Sequence, residues 1–337
     1  MKEAVSKQIE NKKTGLIIFL IITTAVLANI PVFRGYMADT GESLLWCMRL
    51  ARVLPVKLVE PVCLFAIFLL RTGIVLASYL FFFVLNRCQK GPWTNALIGM
   101  VFFVFSPYQI YITFDKTDLT DMVLWIFILL FATSTVIFIE LIKSKKMGIA
   151  LLFIVVDILL IASMGVSYLV SHVSESVLSF GAKGYVFGEL FTSFFYLADH
   201  PGLGIALLLA VCLWIYYSVR KTKREAGKDF VSAFFVSISV ICLILALVNF
   251  PWDSIVRDIP LLGKIILRLE SPTIFLGIAS FGLCIPSVKG IEYASEGKDE
   301  YISKILPVMI MFLAVTVGMY LMSNLMYWQY PLEFITR

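Results

Sequence analysis

The chain has 337 residues, 60% hydrophobic and only 15% charged, with a mean hydropathy of +0.92 and a formal net charge of +5. A soluble domain carries about 25% charged residues, so this composition excludes a water-soluble enzyme or binding module. The positive balance does not call for nucleic acid, because the basic residues collect on one side of the membrane that the chain is built to cross.

A helix rises about 1.5 Å per residue, so roughly 20 apolar residues cross a hydrocarbon core of about 30 Å. About nine such runs are predicted, near 15–34, 62–86, 95–114, 119–142, 147–169, 201–219, 229–250, 272–288 and 305–328. Backbone amides find no water in lipid, so these runs must be helices, and the alternation of a membrane barrel is absent. The expected fold is an all-α polytopic membrane protein, a single transmembrane domain over 1–337.

The first run follows a basic tail of Lys2, Lys7, Lys12 and Lys13. A Val26-Leu27-Ala28 segment suits signal cleavage, but the run is long enough to span, so its retention is expected. With the N-terminus in the cytoplasm, the inner segments hold most of the 28 Lys and Arg. They include Arg87 and Lys90, Lys143, Lys145 and Lys146, the cluster from Arg220 to Lys228, and Lys289, Lys298 and Lys304. That is the positive-inside pattern.

The first outer segment, 35–61, carries Asp39 and Glu42, then Arg49 and Arg52 three apart on one helical face. Leu44, Leu45, Met48 and Val53 give it an apolar side and Trp46 suits an interface, so a short helix lying on the membrane is expected, ended by Pro55. Acids beside cations at a bilayer face suit chemistry on a phosphate-linked lipid, and equally suit a loop resting on headgroups. The second outer connection holds Asp115, Lys116, Asp118 and Asp121. Asp118 and Thr120 can cap the next helix, but Lys116 sits at the wrong end of its dipole unless it pairs with a carboxylate or a phosphate. A later outer loop, 251–271, sets Arg257, Lys264 and Arg268 against Asp253, Asp258 and Glu270.

Two charges fall inside spans. Arg71 lies about 13 Å and Asp157 about 18 Å below the outer surface by helix rise. Charges at that depth mark function or a structural pair, and these two are candidates to pair with each other. Six cysteines at 47, 63, 88, 212, 242 and 284 and two histidines at 172 and 200 form no metal or disulfide pattern. Asp39 and Glu42 could ligate Mg²⁺ or Mn²⁺, but no cluster demands a metal.

FSPYQIYITFDKTDLTDMVLWIFILL (105–130) resembles the SPYRL-(x)-DLYVRGALGE segment of bacterial YfhO-type membrane proteins, which belong to the GT-C glycosyltransferase superfamily. Ser106, Pro107 and Tyr108 match; Lys116 stands where the family has Arg, and Asp121 where it has Glu. GELFTSFFYLADHPGLGIALLLAVCLWIYY (188–217) is similar to its LFSPFW…GLGLALLLL stretch, and RDIPLLGKIILRLESPTIFLGIASFGL (257–283) to its LP…IQFPWRFLGLA stretch. DTGESLLWCMRLARVLP (39–55) resembles its D…H…RI element, though no His follows Asp39. Ile274 replaces the usual Arg and Glu270 the usual Gln, and the chain is shorter than the family's longer members, which points to a reduced or non-catalytic member as one alternative.

The resemblance implies a multi-pass protein of the bacterial cytoplasmic membrane. It would move a sugar from a polyprenyl-phosphate donor to a cell-envelope glycan or lipid-linked acceptor on the outer face. Asp39 or Glu42 would be the general base, and Lys116, Arg268, Arg49 and Arg52 would hold the donor phosphate. Asp118, Asp121 and Tyr108 would support them. The partners expected are that donor, membrane lipids and the acceptor, with no nucleic acid. The rival reading is a transporter, flippase or polymerase of envelope glycans built around Arg71 and Asp157.

Overall fold

The computed structural model describes residues 2–37, 48–116, 119–171, 184–191, 202–220, 230–259, 272–296 and 300–336. Their elements are helices, with no strand among the described residues beyond one isolated bridge between Tyr185 and Leu247. Four helices are long and apolar enough to cross a membrane: Val56–Cys88, Leu119–Lys143, Thr273–Ser295 and Ser303–Met326 within a longer helix. A fifth is a bent pair. Shorter apolar helices, Lys13–Ala28, Gly148–Ser163, Ile205–Arg220 and Phe230–Ala246, fall on the other predicted runs. The protein is an all-α membrane protein.

In chain order the helices are α1 (Lys2–Ala28), α2 (Ile30–Phe33), α3 (Val56–Cys88), α4 (Thr94–Val104), α5 (Pro107–Ile110), α6 (Leu119–Lys143), α7 (Met147–Ser171), α8 (Ile205–Arg220), α9 (Phe230–Ala246), α10 (Trp252–Asp258), α11 (Thr273–Ser295) and α12 (Glu300–Thr336). Residues 48–51 are helical and the chain then turns, with Pro55 standing at the start of α3, so the surface helix expected before Pro55 ends four residues earlier. The α3 helix has 33 residues, about 50 Å, and starts six residues before the predicted run.

The run predicted as one span over 95–114 is two pieces. It breaks at Phe105–Ser106, and the second piece, α5 followed by a π turn at Tyr111–Asp115, bends away by 55°. The cause is local. Pro107 brings no N–H and its ring clashes with the preceding turn, while Ser106, in an extended conformation (ψ 143°), restarts the helix by accepting from the Gln109 amide at 3.4 Å.

The α11 helix forms the centre, buried on nearly all sides between α4, α8 and α9. Small residues let it in. A Cβ on Gly290 would stand 2.2 Å from the Ala210 carbonyl of α8, and one on Gly282 would stand 2.3 Å from Ser239 Oγ of α9. Such close backbone approach is how helices associate where lipid supplies no hydrophobic drive. Phe281 of α11 then meets Phe81 at 4.9 Å and Phe103 at 5.4 Å, tying α3 and α4 to the centre. The α7 helix lies outermost against α6, with Leu151, Leu152, Val155, Ile158 and Leu159 exposed, as a lipid-facing surface would be.

Candidate functional site

The broken span carries its outer piece to one end of the bundle. There the π turn hands over to Lys116, whose amide bonds to the Tyr111 carbonyl at 2.8 Å. The Lys116 Nζ donates to Asp121 Oδ2, 3.4 Å away in the first turn of α6. Both side chains are mostly withdrawn from solvent, 18% and 12% exposed, so this pair is stronger than an ordinary surface pair. Lys116 therefore has a carboxylate partner, one of the two partners its sequence position asks for.

Aromatic groups surround the pair. Tyr108 is buried, crosses Trp125 edge-on at 5.7 Å, and rests where Gly277 has no side chain: a Cβ there would stand 2.2 Å from its ring. It lies within electrostatic reach of Asp121, Lys116 and Tyr185. Tyr185 enters from the segment 184–191, pinned to the end of α9 by bonds with Ala246 and Val248 at 2.8 and 2.9 Å. Burial pushes the Tyr185 phenol well above its usual range, and neighbouring Tyr111 and Glu189 push it further. From the stretch just after α2 comes Tyr36, also buried; burial first, then the nearby Asp115 carboxylate, raise its phenol as well. In the sequence Tyr36 stands three positions before Asp39.

Lys116, Asp121 and Tyr108 are thus brought together. Arg49 and Arg52 are exposed on the stretch before α3. Asp39, Glu42, Asp118 and Arg268 lie outside the described residues. Among the described residues no group of three His, Cys, Asp or Glu could hold a metal ion, and Cys63, Cys88, Cys212, Cys242 and Cys284 form no disulfide with one another.

The intramembrane charges do not pair with each other. Arg71 of α3 is fully buried and reaches the helix break: its guanidinium donates to the Val104 carbonyl and, at 3.4 Å, to the Gln109 carbonyl. The Phe114 ring lies 5.8 Å from it. The reason is that the break leaves carbonyls at the end of α4 without helical donors, and a cation there meets the negative end of that helix. Asp157 sits on α7, half-buried, and its Oδ1 has no hydrogen-bond partner.

No family model, curated protein or solved structure matches the chain.

Two features escape sequence reasoning. One is Gln109, fully buried beside Arg71 with both carboxamide atoms unpartnered; its signal was the Ser106–Pro107 pair inside an apolar run. The other is a polar knot at the opposite end of the bundle. Asn95 donates to Glu292 at 2.8 Å and to Asn86 at 3.2 Å, Lys289 pairs with Glu292 at 2.7 Å, and Asn86 holds the Gly91 and Pro92 carbonyls. A small cleft, with room for about one water molecule, lies alongside, lined by Phe82, Leu85, Asn86, Asn95 and Lys289 among others. Lys289, expected in a loop, lies inside α11. The knot satisfies its members internally and fastens the α3–α4 turn.

Proposed function

We propose that the chain transfers a sugar from a polyprenyl-phosphate donor to a cell-envelope glycan or lipid-linked acceptor at the outer face of a bacterial cytoplasmic membrane. The observation that carries this reading is the withdrawn Lys116–Asp121 pair, set among Tyr108, Tyr185 and Tyr36 at the end of a broken span. The positive-inside pattern assigns that end to the outside, with about nine crossings and a cytoplasmic N-terminus. A GT-C-type fold is part of the same reading.

Asp39, or Glu42, takes the proton from an acceptor hydroxyl as its oxygen bonds to the anomeric carbon. The bond from that carbon to the donor phosphate breaks on the opposite face, the lipid phosphate keeps the electron pair, and the carbon inverts. Lys116 offsets the charge that builds on the phosphate, with Arg268, Arg49 and Arg52 as further cations. Asp121 holds the Lys116 ammonium in place when no phosphate is near. The acids at 39 and 42 are also the groups to which Mg²⁺ or Mn²⁺ would bind.

One observation favours a second reading, a transporter or flippase: a discontinuous span with a buried arginine at its break is how carriers build midplane sites. Sugar transfer in membranes supplied with polyprenyl-phosphate sugar separates the two. Sugar transfer predicts that Asp39→Asn abolishes turnover at normal expression, whereas Arg71→Gln leaves the chemistry measurable. Undiminished turnover in Asp39→Asn removes the base assignment; loss of function in Arg71→Gln at wild-type expression and Tm, with Asp39→Asn silent, favours the carrier.

A further inference from the structure

The polar atoms around the helix break are mismatched to their surroundings. Arg71 is 0% exposed, and its hydrogen bonds are to two main-chain carbonyls. Among the described residues no carboxylate pairs with it. Its Nε carries a further N–H with no partner. Next to it, Gln109 is 0% exposed, and neither Oε1 nor Nε2 has a partner. Buried polar atoms are almost always satisfied, and a buried cation is almost always paired, so three idle side-chain atoms on two residues joined by a main-chain hydrogen bond need a reason.

We infer that Arg71 and Gln109 form an oxyanion site, selective for a phosphate monoester or free phosphate, which is shut in this conformation. The chemistry fits atom by atom. Arg71 Nε–H and the Gln109 NH₂ donate to phosphate oxygens, and Gln109 Oε1 accepts from a P–OH group. Arg is the preferred partner for phosphate, and a neutral water could satisfy the hydrogen bonds but not the charge. The amide of Gln109 can turn over to exchange its donor and acceptor, so either approach direction is served.

The same segment supplies both the site and its cover. Gln109 is the last residue but one of α5, two residues before the π turn, and Phe114 of that turn lies 5.8 Å from the guanidinium. A π turn has looser hydrogen-bond geometry than an α-helix and recurs where a helix must yield. Access requires the piece from Pro107 to Asp115, already bent by 55°, to swing from Arg71. Its far end carries Lys116, so the movement reaches the outer pair too. The site does not depend on Asp39 and goes beyond the sugar-transfer reading.

The test is thermal unfolding of the full-length protein in phosphatidylcholine nanodiscs, with phosphatidic acid added to the bilayer or inorganic phosphate added to the buffer. A ligand of the folded state raises Tm. The expected result is a rise of several degrees in the wild type that is lost in Gln109→Leu. This variant leaves the main-chain contacts of Arg71 in place; Arg71→Gln also removes those contacts and endangers folding, so Gln109→Leu decides. A shift from phosphatidic acid alone makes the ligand a lipid phosphate, and a shift from inorganic phosphate makes it the free ion. No shift from either probe, or an equal shift in Gln109→Leu, overturns the inference.

Discussion

Replacing Gly290 by alanine tests the arrangement of the helices at its tightest point. The added Cβ would stand 2.2 Å from the Ala210 carbonyl oxygen and 2.8 Å from the Trp214 nitrogen, both main-chain atoms of α8. Ordinary contact begins near 3.4 Å. The α8 and α11 helices must therefore part by about 1 Å, and dispersion contacts along the shared face weaken as they do. Overpacking costs about 1–3 kcal/mol where side chains can turn aside; here no side chain can, so about 3 kcal/mol is expected. Alanine returns about 1 kcal/mol through helix propensity, leaving a net loss of about 2 kcal/mol. At about 2–4 °C per kcal/mol, Tm falls by about 4–8 °C. Gly15→Ala is the control: it lies within α1 with nothing within 4 Å of its added Cβ, so it should be neutral or stabilising. Tryptophan-detected unfolding of the purified protein reads both. A Gly290→Ala protein as stable as the wild type would refute the packing of α8 on α11.

Lys116→Met should lower sugar transfer by about 10²–10³-fold, the usual cost of removing one group that stabilises a developing negative charge, while Lys116→Arg keeps most of it; equal turnover in Lys116→Met removes Lys116 from the site. Asp157→Leu should raise unfolding stability by about 2 kcal/mol, because a carboxylate at mid-membrane depth is costly and Asp157 Oδ1 is unpartnered; a lower Tm would reveal a partner that this packing does not contain. Stability should also fall in alkali. The raised Tyr36 phenol keeps its proton in the folded state after the unfolded chain begins to release it near pH 10, so stability is level below that pH and declines above it. Tyr36→Phe should make the decline of Tm between about pH 9.5 and 11 shallower, and an unchanged slope contradicts the burial of that phenol.

Hydropathy was enough to find the helices, because lipid leaves the backbone no other way to satisfy its hydrogen bonds. It did not find the break at 105–107. Pro61 and Pro286 sit inside continuous helices, so a proline in an apolar run does not by itself stop one. What differs at Pro107 is Ser106, which can cap the new turn, and Arg71, which occupies the freed carbonyls. Arg71 looked like a partner for Asp157 because opposite charges at similar depth attract, but pairing depends on which helices are neighbours. α3 packs on α4 and α6, whereas Asp157 is carried on α7, against the outer side of α6. Lys116 was better placed: its position before a helix N-terminus already demanded a negative partner, and Asp121 lies one turn further on.

The proposed reaction requires the donor's phosphate at the Lys116 end of the bundle. A cryo-electron microscopy map of the protein in nanodiscs with a polyprenyl phosphate measures this directly. Phosphate density within about 4 Å of Lys116 Nζ, displacing its contact with Asp121, is the predicted result. Density instead beside Lys289 and Asn95, at the opposite end, would contradict it.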